Sequence, residues 1–516
     1  MEVAIVEPER VFGRVSIRFP AANYFIASSR LRPGMDGGYT VATLRRALQF
    51  AEHAGVTPVL LTFDFWPDYE SVVQEFAQIG LMAADSVLRN LLQDARSNPE
   101  FLRAAATGAP PEDTVPDGIT TKTDLDSAGR PWRTIVFAGS GATLYTEFLD
   151  FDGHPILRIP YLTGRADWHQ APIVITVFAA DGAPVGSLAG FGELYRSWLE
   201  HVFDSCSLDS YSLDTSSVDA SSLDTDQAGR TNVVVCESRQ VGELLVDSRR
   251  SDLRLVHTVH SAHTAAPYEW DSPLDGLWAS WFEVIDRFDA VIWLTEKQRR
   301  AVVRRFGEHD TFWVVPHAVD ALPTLSPPEE RDPNLAVIIG RLARLKRLDH
   351  ALLAFRTVAD GNPLARLVIY GDGPDEERLR GITREYRLQD VVEFRGHHPD
   401  AAEVTTRAAA LVFTSSYEGQ GLVVLEALAR GCPVVSYDLN YGPSEMVTDG
   451  ETGILVPNGD VDALAAALSS VLGHPERVAA LSEAAHASAV QRAPERSMAR
   501  MAELFETVLA RPRRSR

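Results

Sequence analysis

Residues 414–435 read TSSYEGQGLVVLEALARGCPVV; the chain enters them from the apolar run ALVFTS (410–415) and leaves through CPVVSY (432–437). Between the two runs, a polar stretch punctuated by Gly419 and Gly421 leads into a helix-length apolar segment. Strand, glycine turn and helix in that order predict one unit of a parallel α/β sheet. Ligands of such sheets gather at the carboxyl ends of strands, where the next helix presents unpaired N–H groups and a partial positive charge. The two glycines allow close approach to that helix start, and a phosphate suits it. Glu418 falls in the turn and Glu426 about two turns along, on nearly the same side of the helix. Carboxylates only accept hydrogen bonds, so these acids suit the hydroxyls of a sugar-like group beside a phosphate rather than the phosphate itself. A capping acid followed by a solvated helix acid fits the same two positions.

The alternation extends in both directions. From Leu335 the chain runs through LAVIIG, LDHALLAFRTVA, ARLVIYG, EERLRGITREY and VVEFRG, which predicts a Rossmann-like domain. A similar pattern opens with NYFIASS, GGYTVATLRRALQFAEHAG and TPVLLTF, then resumes with TNVVVCES, LRLVHTVHS and TFWVVPHAV. Within the gap, residues 120–190 carry DLDSAGRPWRTIVF, DFDGHPILRIPYL and FAADGAPVGSLAGF. Each sets an Asp and a Gly in a tight polar stretch between β-prone segments, the pattern of hairpins, so an inserted antiparallel sheet is expected. The expected division is 1–75 and 196–325 for the first Rossmann-like domain and 76–195 for the insert. Residues 326–495 form the second domain, and 496–516 a terminal helix with a basic tail. Residues 204–226 repeat Ser-Leu-Asp-like triplets with little to bury, and the segment 204–228 is read as a flexible linker without the glycine bend of a calcium loop.

A chain of 516 residues suffices for two or three domains with cores of their own. Forty-nine Lys and Arg against 71 Asp and Glu leave a net charge of −22, which argues against a broad nucleic-acid face. The terminal ARPRRSR is the one dense basic run, suited to a solvated tail or to peripheral attachment to anionic lipid or polymer. Cys206, Cys236 and Cys432 match neither a disulfide framework nor a metal-binding spacing. No signal-like start and no apolar run near the ~20 residues of a membrane span is seen, so a cytoplasmic protein is expected, acting at the inner face of the membrane where the tail attaches.

Further charged and glycine positions cluster at predicted strand ends. GRLARLK puts Arg341 and Lys346 after the first strand of the second domain, where they can neutralise a diphosphate or simply face water. YGDGP, with Gly371, is another strand-to-helix glycine turn. RLVHTVHSAHT offers His257, His260 and His263, but alternation reads as a strand running into a loop, which disfavours zinc ligands on a helix. A buried, structurally hydrogen-bonded histidine fits as well.

The Glu418-x7-Glu426 spacing, together with GRLARLK, YGDGP, VVEFRGH and DGETGILVPNGD, resembles the donor domain of retaining glycosyltransferases of the GT-B fold, in glycosyltransferase family 4. The resemblance runs through nearly all of residues 335–470. It implies two Rossmann-like domains facing across a cleft and a nucleotide-sugar donor, by analogy a UDP-sugar. Arg341 and Lys346 would hold the diphosphate, so that no cofactor or metal is needed. Glu426 would accept from the ribose. Glu418, with the backbone N–H groups of Gly419, Gln420, Gly421 and Leu422, would hold the transferred sugar, and Glu393 and Phe394 would contact the base. In MDGGYT, Gly37 and Gly38 resemble the glycine loop that approaches the donor phosphate from the first domain, and Gly371 would join the donor site. Of the three histidines, His260 matches the one beside the reacting carbon, with His263 the alternative.

SYDLNYGPSEMV (436–447) resembles the matching segment of poly(polyol-phosphate) teichoic acid α-glycosyltransferases and related adhesin-glycosylating enzymes, which also carry an antiparallel insert. That resemblance implies a polymer, glycan or protein acceptor and a homo-oligomer assembled through the insert. The chain's acidity departs from it, because an anionic polymer needs a local basic groove here. A catalytically inactive, partner-binding relative is the alternative. A nicotinamide enzyme is disfavoured, because no G-x-G-x-x-G follows the first strand.

Overall fold

The computed structural model describes residues 17–34, 37–83, 85–111, 118–161, 173–208, 231–398 and 400–512. Most of the Ser-Leu-Asp repeat and the end of the basic tail lie outside them.

The first lobe is a seven-stranded, all-parallel sheet. It contains β1 (Asn23–Ser28), β2 (Val59–Thr62), β3 (Leu88–Asn90), β10 (Asn232–Cys236), β11 (Leu253–Val259), β12 (Ala290–Trp293) and β13 (Phe312–Val314), in the order β13-β12-β11-β10-β1-β2-β3. β10 is its centre, and β1 lies beside it, with Phe25 in register with Val234 of β10 on one side and Val59 of β2 on the other. Every residue of β10 and β11 is buried, as a parallel sheet covered on both faces requires.

The long excursion between β3 and β10 holds the antiparallel sheet β4 (Thr120–Leu125), β5 (Pro131–Phe137), β6 (Thr143–Leu149), β7 (Pro155–Pro160), β8 (Ile175–Phe178) and β9 (Pro184–Leu188), each strand paired with the next. The three repeated units are three of its hairpins. Their turn glycines, Gly129, Gly153 and Gly182, have φ between 77° and 88°, values that only glycine adopts without strain.

Two boundaries differ from those read in the sequence. The first sheet continues past residue 75, because β3 pairs in parallel with β2. At three residues, β3 is too short to show a period. The insert also runs without a break at 195 into helix Gly190–Leu208. Trp132, Phe148 and Leu157 of the inserted sheet share one core with Phe25, Leu61 and Phe63 of the first sheet and with Trp198 and Phe203 of that helix. The insert therefore completes the first lobe's core instead of hanging from it.

The second lobe is a six-stranded parallel sheet of β14 (Asp332–Ile339), β15 (Arg366–Tyr370), β16 (Val392–Gly396), β17 (Ala408–Phe413), β18 (Val434–Tyr437) and β19 (Gly453–Val456), in the order β16-β15-β14-β17-β18-β19. Its core is separate from those of the first lobe. The chain then returns. Helix Pro494–Ala510 lays Met498, Met501, Leu504, Phe505 and Val508 against Tyr24, Ile26 and Phe50 of the first lobe. Among the described residues no helix is long and apolar enough to cross a membrane.

Phe505 is fully buried, with ring centroids 4.9 Å from Tyr24 and 5.0 Å from Phe19. Phe505→Ala should cost the first lobe about 3–5 kcal/mol and leave the second unaffected. Urea unfolding followed by probes in each lobe checks this; equal loss in both would mean the helix does not belong to the first core.

Candidate active site

Two loops at the carboxyl ends of adjacent strands β14 and β17 form the floor of the cleft, and backbone bonds stitch them together. Ser416 N–H donates to Leu345 O (2.7 Å), and Thr414 Oγ1 donates to Lys346 O (2.8 Å). Arg347, at φ 46°, donates from Nε to Thr414 O (3.0 Å) and from Nη2 to Ser415 O (2.6 Å). This seam places Lys346 Nζ 2.6 Å from Glu418 Oε1, both side chains largely shielded from water. Arg341 stands exposed just past β14 and forms no ion pair with a described residue.

Helix Leu422–Ala429 starts at Gly421 (φ 91°), and no side chain caps it. Its first N–H groups therefore remain available to an anion, with Leu422 as its first residue. Glu426, further along this helix, meets Arg45 Nη1 at 2.9 Å. Arg45 belongs to helix Gly38–Ala54 of the first lobe, so this ion pair spans the cleft. Gln420 is buried and points to the interlobe connection: its Oε1 accepts from His317 N–H (2.8 Å), and its Nε2 donates to His317 O (3.1 Å). Gly419 packs so tightly on His260 that any Cβ there would overlap the His260 carbonyl.

The first lobe supplies the facing wall. Gly37 (φ 45°) precedes helix Gly38–Ala54, and a Cβ on Gly37 or Gly38 would meet open space. His260 follows β11. Its Nε2 is hydrogen-bonded to the buried Glu237, its ring stacks on His317 (centroids 5.3 Å), and Tyr39 meets it edge-on (5.0 Å). Glu237 also binds Arg46 at 2.9 Å. His257 and His263 are different. His257 is packed against Trp281 and Phe288, and His263 against Phe282 and Tyr441; both are fully buried. Burial pushes them down to about 3 and about 4 respectively, so they stay neutral. His260 is the one of the three that touches the Gly419 turn.

Three expected donor residues are engaged within the second lobe itself. Phe394, in edge strand β16, packs on the second-lobe core beneath the Arg380 guanidinium (4.6 Å). Glu393 points outward and pairs with Arg395 at 2.7 Å. Both are therefore occupied within the strand, and the strand's carboxyl end is Gly396. Gly371 (φ 131°) is required by packing, because a Cβ would overlap Gly340 O where the two strand ends meet. The local apolar pattern of VVEFRGH cannot tell a strand interior from its functional end.

Residues 436–447 form a second interlobe seam. Glu445 accepts from Glu296 N–H (3.0 Å) and Lys297 N–H (2.6 Å), capping helix Glu296–Phe306 of the first lobe, and Lys297 Nζ donates to Ser444 Oγ (2.7 Å). Asn440 Nδ2 donates to Tyr268 O (2.7 Å), and Tyr441 stacks on His263. The sequence reading missed Arg45, Arg46 and Glu237. An acid directly after the apolar run NVVVC was the one available signal. The trio Asp150, Asp152 and His154, whose ligand atoms lie within 4.8 Å of one another, is on the β6–β7 turn of the insert.

Residues 326–488 match the family model described as glycosyl transferases group 1. The poly(glycerol-phosphate) alpha-glucosyltransferase of Bacillus subtilis is 33% identical over 243 residues, 44% of this chain and 35% of that protein. The chain thus matches about a third of that relative's length. Among solved structures, a variant of S. aureus TarM in complex with Fondaparinux, alpha-GlcNAc-glycerol and UDP aligns with TM-score 0.68 at 16% identity, covering 94% of this chain and 99% of that one. The pneumococcal O-GlcNAc transferase GtfA in complex with UDP and GlcNAc aligns with TM-score 0.66 at 16% identity, covering 95% and 100%. The fold is GT-B: two parallel-sheet lobes around a cleft, with an antiparallel sheet in the N-terminal region.

The buried histidines set a pH response. In the unfolded chain they take up protons near pH 6.5, but in the folded one they do so only near 3 and 4. Stability from this source is therefore complete above 6.5. It should fall by about 1.4 kcal/mol per pH unit for each histidine as the pH drops toward 4. Urea titrations at pH 7 and 5 check this, and His257→Phe should flatten the slope; an unchanged slope in that variant contradicts the assignment.

Proposed function

We propose that this protein is a retaining glycosyltransferase of family 4. It takes a sugar from a nucleotide donor, a UDP-sugar in this reading, and passes it to a polyol-phosphate polymer, a glycan or a protein. The observation that carries the proposal is the Lys346–Glu418 pair at the uncapped start of helix Leu422–Ala429, facing His260 across the cleft. A cation beside free N–H groups suits a diphosphate, and an acceptor-only carboxylate next to it suits sugar hydroxyls. The glycosyl transferases group 1 match over the same lobe, and the UDP named in both structural relatives, support this reading.

In this mechanism Lys346 and Arg341 stabilise the charge that grows on the leaving diphosphate as the sugar–phosphate bond breaks, an effect larger in the transition state than in the ground state. In this reading two cations, Lys346 held on Glu418 and the exposed Arg341, make a metal unnecessary. Glu426 turns from Arg45 to the ribose hydroxyls, so that donor binding exchanges one partner of a shielded carboxylate for another. The leaving phosphate takes the acceptor's proton on the face it departs from, so configuration is retained without a carboxylate nucleophile. The seams at Gln420 and Glu445 hold the lobes together and exclude water from the donor. Assembly into homo-oligomers through the inserted sheet, and peripheral attachment at the inner membrane face, belong to the same proposal. The names of the relatives favour a polyol-phosphate or protein acceptor.

A thermal-shift panel of uridine, guanosine and adenosine diphosphate sugars tests the donor, with the uridine compound expected to raise the melting temperature most. Lys346→Ala should lower transfer of radiolabelled sugar roughly 10²–10³-fold with an unchanged fold. Glu426→Ala should weaken donor binding roughly tenfold with a smaller effect on turnover. Tight donor binding without any turnover would identify an inactive partner-binding subunit, and near-normal turnover in Lys346→Ala would remove the diphosphate role.

A further inference from the structure

Behind His260 lies a buried pair of ions that the proposed chemistry does not use. Glu237 directly follows β10, and its side chain has no exposed surface. Its Oε1 is 2.9 Å from Arg46 Nη1, and its Oε2 bonds His260 Nε2. Arg46, also buried, donates from the same nitrogen to Thr258 Oγ1 at 2.7 Å. Withdrawing a carboxylate and a guanidinium from water is unfavourable, and apolar side chains of similar size serve packing at least as well. Burial acts to raise the Glu237 carboxyl, but Arg46 and His260 outweigh it and hold the group below the ordinary carboxylate range. The acid stays ionised, and an ionised carboxylate can only accept.

Its partner nitrogen must therefore be the donor. With the hydrogen on Nε2, a neutral imidazole carries its lone pair on Nδ1. His260 keeps 14% of its side chain exposed, and among the described residues its side-chain hydrogen bond is the one from Nε2 to Glu237. The ring cannot readily turn, because His317 stacks on one face and Tyr39 abuts it. The other charged or titratable groups around this cluster are Arg45 and His257. Neither contacts the His260 ring nitrogens, so Glu237 alone sets the tautomer.

We propose that Glu237, anchored by Arg46, is a positioning residue that locks His260 as the Nε2–H tautomer and presents Nδ1 as a hydrogen-bond acceptor for a hydroxyl of the sugar bound against Gly419. The identity of the hydroxyl's owner rests on the sugar-transfer reading above. The tautomer lock is a property of the free protein and stands or falls separately.

Two measurements test it. In protein labelled with ¹⁵N-histidine, two-bond ¹H–¹⁵N spectra of the free wild type, assigned with His260→Ala, should show His260 protonated at Nε2 and bare at Nδ1. The opposite tautomer, or an even mixture, overturns the lock, and E237Q should produce such a mixture. In sugar transfer, E237Q should lower kcat about 10–100-fold with donor KM changed less than about twofold. In the His260→Ala background the same substitution should cost less than about twofold. Additive losses would mean that Glu237 acts on the fold and not through His260. Should E237Q fold poorly, R46Q/E237Q removes both charges together and enters the same cycle. If the wild type turns over no nucleotide sugar, the sugar-transfer reading falls, while the spectra still decide the tautomer.

Discussion

The turn Glu418–Gly421 is held from three directions, and the cleft depends on that constraint. Lys346 fixes its carboxylate, the His317 backbone fixes Gln420, and the His260 carbonyl lies where a Cβ of residue 419 would be. The contact of residue 419 with His260 is possible only with glycine. A methyl group there would separate the lobes just where the helix start, the lysine and the histidine converge. Within the second lobe Gly442 braces the same turn, since a Cβ on it would overlap the Gln420 carbonyl. The lobes therefore meet through backbone approach and a few directed hydrogen bonds, a surface that can open without unfolding either core.

Electrostatics follow from the same geometry. The chain carries a net charge of −22, yet the groups around the cleft include Arg45, Arg46, Arg341, Lys346 and Lys297. Net charge acts over distances that salt screens within about 8 Å, whereas a shielded cation acts at contact. An acidic protein can therefore hold an anion in a local basic recess. Several of these cations are already partnered by Glu418, Glu426 and Glu237. Glu418 and Glu237 are hydrogen-bond acceptors held in place before any ligand arrives, which lowers the reorganisation that binding demands.

The lobes are not independent beads. The inserted sheet shares a core with β1 and β2, and helix Pro494–Ala510 crosses back to close the other face of the first sheet. Both crossings tie the first-lobe wall of the cleft to distant parts of the chain. A change in the insert can thus reach β11, and His260 just after it, through packed side chains, since close-packed interiors transmit strain.

The alternation of apolar strands and amphipathic helices was legible in the sequence, and so were the hairpins, because those periods are local. Glu418, Glu426 and the Gly419 turn were legible because their spacing along one strand–loop–helix unit sets their geometry, and Lys346 because it follows another apolar strand, β14. The register of distant segments was not. Glu393 and Phe394 were expected at the base through the resemblance alone, and β16 packs one against the core and pairs the other with its neighbour. Choosing among His257, His260 and His263 needed to know which meets the Gly419 turn, and three residues along a strand and loop point three ways. Arg45, Arg46 and Glu237 were silent for the same reason: 191 residues separate Arg46 from Glu237 along the chain, and only the parallel pairing of β1 with β10 brings their neighbourhoods together. Local chemistry is written in short-range spacing, whereas partnerships between charges across the fold are decided by strand order and lobe closure.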